Sequence, residues 1–168
     1  MQLIEPSDAF IESYRSALAE FAEFGITGFW NHFGPIDDQK SYVQKIKCYP
    51  HMTGKNECHS VPASVYWLVD DDEFIGHVSV RHRLDESLRK SGGHIGYAIR
   101  PTKQGRGYGS QILRRVLPFV RAMGIPSALV TCDKHNVVSR KIIEKNAGQL
   151  VDEVEIDGRI ILHFLITL

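Results

Sequence analysis

The chain has 168 residues, enough for one domain with a sizeable core. Its 20 Lys and Arg are matched by 20 Asp and Glu, so it lacks the basic excess of a dedicated nucleic-acid binder, and no nucleic-acid partner is expected. No apolar run approaches the ~20 residues of a transmembrane helix, and three cysteines leave an odd one rather than a disulfide framework, so no membrane partner and a reducing, cytoplasmic location are expected.

The opening MQLIEPSDAF lacks the basic flank and long apolar centre of a secretory signal. It reads as a short strand, with Ser7 or Asp8 capping the helix that follows. Phe10, Tyr14, Leu18 and Phe21 recur at helical spacing, and Gly25 ends the run. A second helix is expected from Asp37 or Asp38, carrying Tyr42, Val43 and Ile46. SVYWLVDDDEFIGHVSVRHRL reads as two antiparallel strands joined by an acidic turn from Asp70 to Glu73. GGHIGYAIRP is another strand, stopped by Pro101. QGRGYGSQIL then opens a helix to about Met123, with Ile112, Leu113, Val116 and Val120 on its inner side, and Pro118 predicts a bend in it. SALVTCD is a strand, and NVVSRKIIEKNAG is a helix capped by Asn136. Two closing strands, about 149–156 and 159–167, turn on the hairpin signal Asp157-Gly158. The expected fold is a single mixed α/β (α+β) domain over residues 1–168, with a mostly antiparallel sheet of about seven strands flanked by helices.

Three alternating glycines at a helix start need a reason, because glycine costs about 1 kcal/mol against alanine in a helix interior. A Walker phosphate loop requires a lysine that is absent here. A dinucleotide turn requires G-x-G-x-x-G directly after its strand, within a repeated series, and this chain has G-x-G-x-G and one crossover. Helix-start amides carry a partial positive charge, and glycines let them approach a pyrophosphate without side-chain interference.

Gln104-Gly105-Arg106-Gly107-Tyr108-Gly109 resembles the [Q/R]-x-x-G-x-[G/A] pattern of the GNAT superfamily, the acetyl-CoA-dependent N-acyltransferases. IGYAIRP resembles that family's central strand. CDKHNVVSRKIIEKNAG resembles its second motif through Asn136, Ser139, Ile142, Glu144 and Lys145, with Ala147 where glycine is usual. The likeness spans about residues 93–148, which would form the cofactor-binding core, and within the family it is nearest a bacterial branch. It implies transfer of an acetyl group from acetyl-CoA, as co-substrate, directly to a primary amine of a small molecule or peptide, with no metal. The amides from Gly105 through Ser110 would hold the pyrophosphate, with Arg106 adding charge at the rim. The Ile99 backbone N–H would meet the acetyl carbonyl, Tyr97 and Ala98 would line the pantetheine path, and Asn136 and Ser139 would hold the pantetheine arm. The competing readings are a catalytically silent acyl-CoA-binding or sensor module and, more remotely, a nucleotide-binding regulatory domain.

One departure keeps the silent module in view. Many members of the family have a tyrosine acting as general acid at the position occupied here by Ile143. That acid is dispensable if the thiolate departs unprotonated. His94, on the central strand, is the candidate base because an imidazole titrates near pH 6.5, although a hydrogen-bonded strand histidine is the plainer reading. Asp133 and His135 read as capping or solvated groups, and Cys132 as core packing.

The acceptor side is expected over about residues 8–62. Phe24, Phe29, Trp30, His32 and Phe33 form an aromatic group that reads as packing, or alternatively as a wall of the acceptor pocket. Cys48, His51, Cys58 and His59 lie close together, but lack paired Cys-x-x-Cys spacing and read as a substrate-side loop rather than a zinc site. The acceptor's identity stays open, as does a homodimer.

Overall fold

The computed structural model describes residues 1–27, 39–48 and 61–168. Seven strands and five α-helices are assigned among them: β1 Gln2–Ile4, α1 Ile11–Glu23, α2 Gln39–Cys48, β2 Ala63–Asp70, β3 Glu73–Arg81, α3 Glu86–Lys90, β4 Ile95–Ile99, α4 Tyr108–Ala122, β5 Ser127–Asp133, α5 Val137–Lys145, β6 Gln149–Ile156 and β7 Arg159–Thr167. The strands form two antiparallel sheets, β1-β2-β3-β4 and β5-β7-β6, instead of one continuous sheet. An isolated bridge between Gly93 and Val130 links them.

The break between the sheets follows from the backbone. Arg81 N donates to His94 O, and Arg100 N donates to Ile75 O. Antiparallel pairing alternates, so the even-numbered residues of β4 carry the ladder to β3. The amides of Ile95, Tyr97 and Ile99 therefore face the β5 side, where among the described residues no ladder runs alongside residues 95–99.

Hydrophobic periodicity then places the layers. Alternate residues of β2 and β3, including Trp67 and Phe74, turn to one face and meet Tyr14 and Phe21 of α1 and Tyr42, Val43 and Ile46 of α2. Tyr14 stacks on Trp67 with ring centroids 4.5 Å apart. The other face meets Ile112, Leu113, Val116 and Val120 of α4, together with Ile143 and the inner residues of β5 and β7. Apolar burial of this kind contributes about 25 cal/mol per Å² and holds both layers to the sheets.

Several local expectations meet a more detailed structure. Ser7 caps a 3-10 turn, Asp8–Phe10, that precedes α1. Gly25 follows α1 at φ +64°. The beginning expected for α2 at Asp37 or Asp38 lies outside the described residues. α4 continues through Pro118 to Ala122 as one helix. Asp157 and Gly158 both take positive φ, as the two-residue hairpin requires. The short α3 was not expected. Asp85 caps it by accepting from Leu88 N at 2.9 Å, but five residues carry no readable helical period.

Candidate active site

β4 leaves the sheet through a 3-10 turn, Pro101–Lys103, and the glycine stretch follows. Gln104 folds the loop back onto the strand end, its Nε2 donating to Ile99 O at 3.1 Å. Gly105 and Gly107 both have positive φ, +75° and +81°, and a Cβ at either would point into open space. α4 begins at Tyr108 with Gly107 as its N-cap, so only Gly109 lies inside the helix. The first-turn amides of an α-helix have no intrahelical acceptor. Those of Tyr108, Gly109 and Ser110 form the positive end of α4, behind an exposed Gln104–Gly107 segment.

Gly109 serves a different need. A Cβ there would lie 2.5 Å from Ile142 Cδ1, so this glycine lets α4 and α5 approach each other. Asn146 fastens the same contact, donating from Nδ2 to Ile142 O at 2.8 Å, to Ser110 O at 3.3 Å and to Ser110 Oγ at 3.2 Å. The alternating glycines thus divide into two that shape an open loop and one that spaces two helices. Arg106 is exposed, and the Tyr108 hydroxyl reaches Asp70 Oδ2 at 3.4 Å.

Beyond the Gly93–Val130 bridge, a cleft of about 310 Å³ opens, its walls including Tyr97, Cys132, Asp133, Asn136, Ser139 and Arg159. Asn136 caps α5 by accepting from Ser139 N at 3.0 Å, which commits its oxygen and leaves the Nδ2 donors for a ligand. Tyr97 Oη and Ser139 Oγ are 3.3 Å apart. Burial pushes the Tyr97 phenol up to about 12. Burial also raises the Cys132 thiol, which keeps it protonated and unreactive. Ala98 packs toward the α1–α2 layer, while Ile99 is buried in the core on the α4 side.

His94 lies where the two sheets meet. Its Nδ1 accepts from Leu129 N at 2.9 Å, and its own N donates to Leu129 O at 2.7 Å. The neutral ring therefore carries its proton on Nε2 and has no free lone pair. Burial lowers its pKa, and the Arg89 and Arg81 charges lower it further. Asp133 accepts from His135 N at 2.8 Å and from Arg159 Nε at 2.9 Å, and these bonds draw its carboxyl below the usual range. Ile143 is fully buried in the main core, its Cγ2 2.4 Å from where a Cβ on Gly148 would lie.

On the acceptor side, Phe24 is 62% exposed and joins neither core cluster among the described residues. Phe29, Trp30, His32, Phe33, His51, Cys58 and His59 lie outside the described residues, and Cys48 ends α2. Among the described residues, no cluster of His, Cys, Asp and Glu could hold a metal, and no helix is long and apolar enough to cross a membrane. Sequence reading missed Asn146, Arg100 and Glu20. Glu20 of α1 binds Arg100 Nε at 2.7 Å and Thr102 Oγ1 at 2.9 Å, tying α1 to the turn ahead of the glycine loop.

No curated protein sequence matches the chain. Among solved structures, it resembles the ribosomal L7/L12 α-N-protein acetyltransferase RimL in complex with coenzyme A, at 16% identity and TM-score 0.66 over 99% of this chain and 93% of that one. It also resembles the microcin C7 self-immunity acetyltransferase MccE in complex with acetyl-CoA and AMP, at 16% identity and TM-score 0.68 over 99% and 91%. A variant of the Vibrio cholerae spermidine N-acetyltransferase SpeG matches at 14% identity and TM-score 0.63 over 99% and 95%. At these identities the likeness establishes the fold. The sequence model for the acetyltransferase (GNAT) domain covers residues 6–149, including the glycine loop, β4, β5 and the Asn136 cap, and the chain belongs to that family.

Proposed function

We propose that the chain transfers an acetyl group from acetyl-CoA directly to a primary amine, with the pyrophosphate on the α4 amides and the pantetheine arm in the β4–β5 cleft. The observation that carries this reading is the Gly105–Gly107 loop. Its two positive-φ glycines present open backbone at the positive end of α4, one short turn beyond a strand whose inner amides have no strand partner among the described residues. The Ile99 N–H faces that inner side, which suits it to polarise the acetyl carbonyl. Tyr97 and Ala98 flank the thioester path, Asn136 Nδ2 and Ser139 bind the arm, and Arg106 adds charge near the phosphates.

The proton from the amine is assigned differently. His94 has its Nδ1 lone pair committed to Leu129 N–H, so we assign it to joining the sheets. The lowered Asp133 carboxyl is a weak base. The acceptor therefore enters as a neutral amine and loses its proton to water after attack. The solved relatives named above act on a protein N-terminus and on spermidine, which supports an amine acceptor while leaving its class open.

The test is release of free thiol from acetyl-CoA against a panel of amines, with calorimetric titration of acetyl-CoA, NAD and ATP. The expected result is acetyl-CoA binding with thiol release dependent on one class of amine. Binding without release under every amine would mark a silent acyl-CoA module. Preference for NAD or ATP would mark a nucleotide-binding domain.

A further inference from the structure

A carboxylate of α1 holds the turn that leads into the glycine loop. Glu20 Oε1 accepts from Arg100 Nε at 2.7 Å and lies 2.6 Å from Arg100 Nη2, so the guanidinium is held at two points. Glu20 Oε2 accepts from Thr102 Oγ1 at 2.9 Å and from Thr102 N at 3.3 Å. Both charged side chains are withdrawn from water, at 12% exposure for Arg100 and 17% for Glu20. Ser13, about two turns earlier on the same face of α1, accepts from Arg100 Nη1 at 3.4 Å and from Phe74 N at 2.9 Å, which anchors the helix to β3. Resting on the acetyl-CoA reading, we propose that Glu20 is a positioning residue for the pyrophosphate, one that meets no part of coenzyme A and sets the loop through Arg100 and Thr102.

The loop needs a hold from outside. Gly105 and Gly107 have no side chains to pack, and the freedom that suits glycine to positive φ also makes it costly to order. The turn ahead of them, Pro101–Lys103, supplies the bonds from Lys103 N to Arg100 O at 2.9 Å and from Gln104 N to Pro101 O at 3.2 Å. Its flanks are fixed by Gln104 on Ile99 O, by the Lys103–Glu73 ion pair, and by Glu20 on two residues at once. A loop ordered before its ligand arrives loses less binding free energy to ordering. Electrostatics works against Glu20 in this place. A carboxylate near an anion site repels the anion, so on charge alone Glu20→Gln would tighten coenzyme A binding. Positioning demands the opposite sign. Glutamine keeps the length of the side chain, but its amide nitrogen cannot accept, so the Arg100 and Thr102 bonds cannot both persist.

The experiment compares two ligands that differ in the pyrophosphate. Coenzyme A is titrated by calorimetry and pantetheine, which carries the arm without phosphates, by ligand-observed NMR, in wild type and Glu20→Gln. The variant is expected to bind coenzyme A roughly 10-fold more weakly, with pantetheine unchanged. The loss should persist at high ionic strength, where a charge effect would be screened. Thr102→Val removes one donor and no charge, and should give a smaller loss of the same sign that is not additive with Glu20→Gln. If Glu20→Gln unfolds, Thr102→Val carries the test, because it leaves the Arg100–Glu20 pair in place. Equal or tighter coenzyme A binding in the variant would overturn the proposal, and so would parallel losses for coenzyme A and pantetheine, the mark of a generally loosened fold. A wild type that binds pantetheine as tightly as coenzyme A would place no pyrophosphate on the loop, and would overturn the cofactor reading and this proposal with it.

Discussion

His94 and Leu129 exchange two hydrogen bonds, Leu129 N donating to the imidazole Nδ1 at 2.9 Å and His94 N donating to Leu129 O at 2.7 Å. The pair lies at the junction of the two sheets, beside the Gly93–Val130 bridge. His94→Ala leaves the Leu129 N–H without its acceptor, and stability should fall by about 1–3 kcal/mol. The acidic limb of kcat/KM should persist in this variant and move with the pKa of the amine when two amines of different basicity are compared. A limb fixed near the histidine value for both amines, and absent in His94→Ala, would restore the ring as base.

Gly109 and Ile142 test the division of labour among the glycines. Gly109→Ala places a methyl 2.5 Å from Ile142 Cδ1, the flexible end of that side chain, so overpacking should cost about 1 kcal/mol. Ile142→Val removes that very atom. The double variant should recover most of the loss, measured as a coupling energy in urea melts. Gly107→Val should behave in the opposite way, weakening acetyl-CoA binding in calorimetry with no partner substitution able to rescue it.

Ala147 has φ +64° immediately after α5, in the left-handed region where a Cβ costs about 1–2 kcal/mol. Glycine relieves that strain but loses more entropy on folding. Ala147→Gly should therefore gain roughly 0.5–1 kcal/mol, raising Tm by about 1–4 °C. A lowered Tm would show that the alanine methyl makes a compensating contact.

The acid side of the stability curve should be governed first by histidine. His77 is fully buried beside Phe21 and Phe74, and burial lowers its pKa to about 3. The unfolded chain takes up that proton near pH 6.5 while the folded chain refuses it, so stability should fall as pH drops from about 6.5 towards 3. Burial raises the Glu20 carboxyl, but Arg100 and Thr102 lower it by more, so its contribution is lost as pH falls below the ordinary carboxylate range. Urea melts from pH 7.5 to 4 should show the first slope above pH 5, and His77→Leu should flatten it. An unchanged slope would place the proton uptake elsewhere.

These cases also mark what could be read from the amino-acid order. Motif, hairpin and cap signals are local, so the helix after the glycines, the Asn136 cap and the Asp157-Gly158 turn were all legible. The interactions that assign individual roles span long separations. His94 meets Leu129 across 35 positions, Ser110 meets Asn146 across 36, and Tyr97 meets Ser139 across 42. Gly105, Gly107 and Gly109 read as one device because nothing in their spacing discloses that only the third has Ile142 behind it. Ile143 reads in the sequence as an absent acid, but that the Tyr97 phenol lines the same cleft as Ser139 depends on how the two sheets diverge.

That divergence gives the protein a sheet edge turned inward. An exposed edge usually invites other chains, and proteins blunt it with charge or proline. Here the Tyr97 and Ile99 amides, without a ladder partner among the described residues, face the β5 side, and residues of β5 and α5 wall the cleft beside Tyr97. A slender amide-bearing chain such as pantetheine can pair with that edge as an eighth strand would. On the proposed reading, cofactor recognition and completion of the sheet would be the same event.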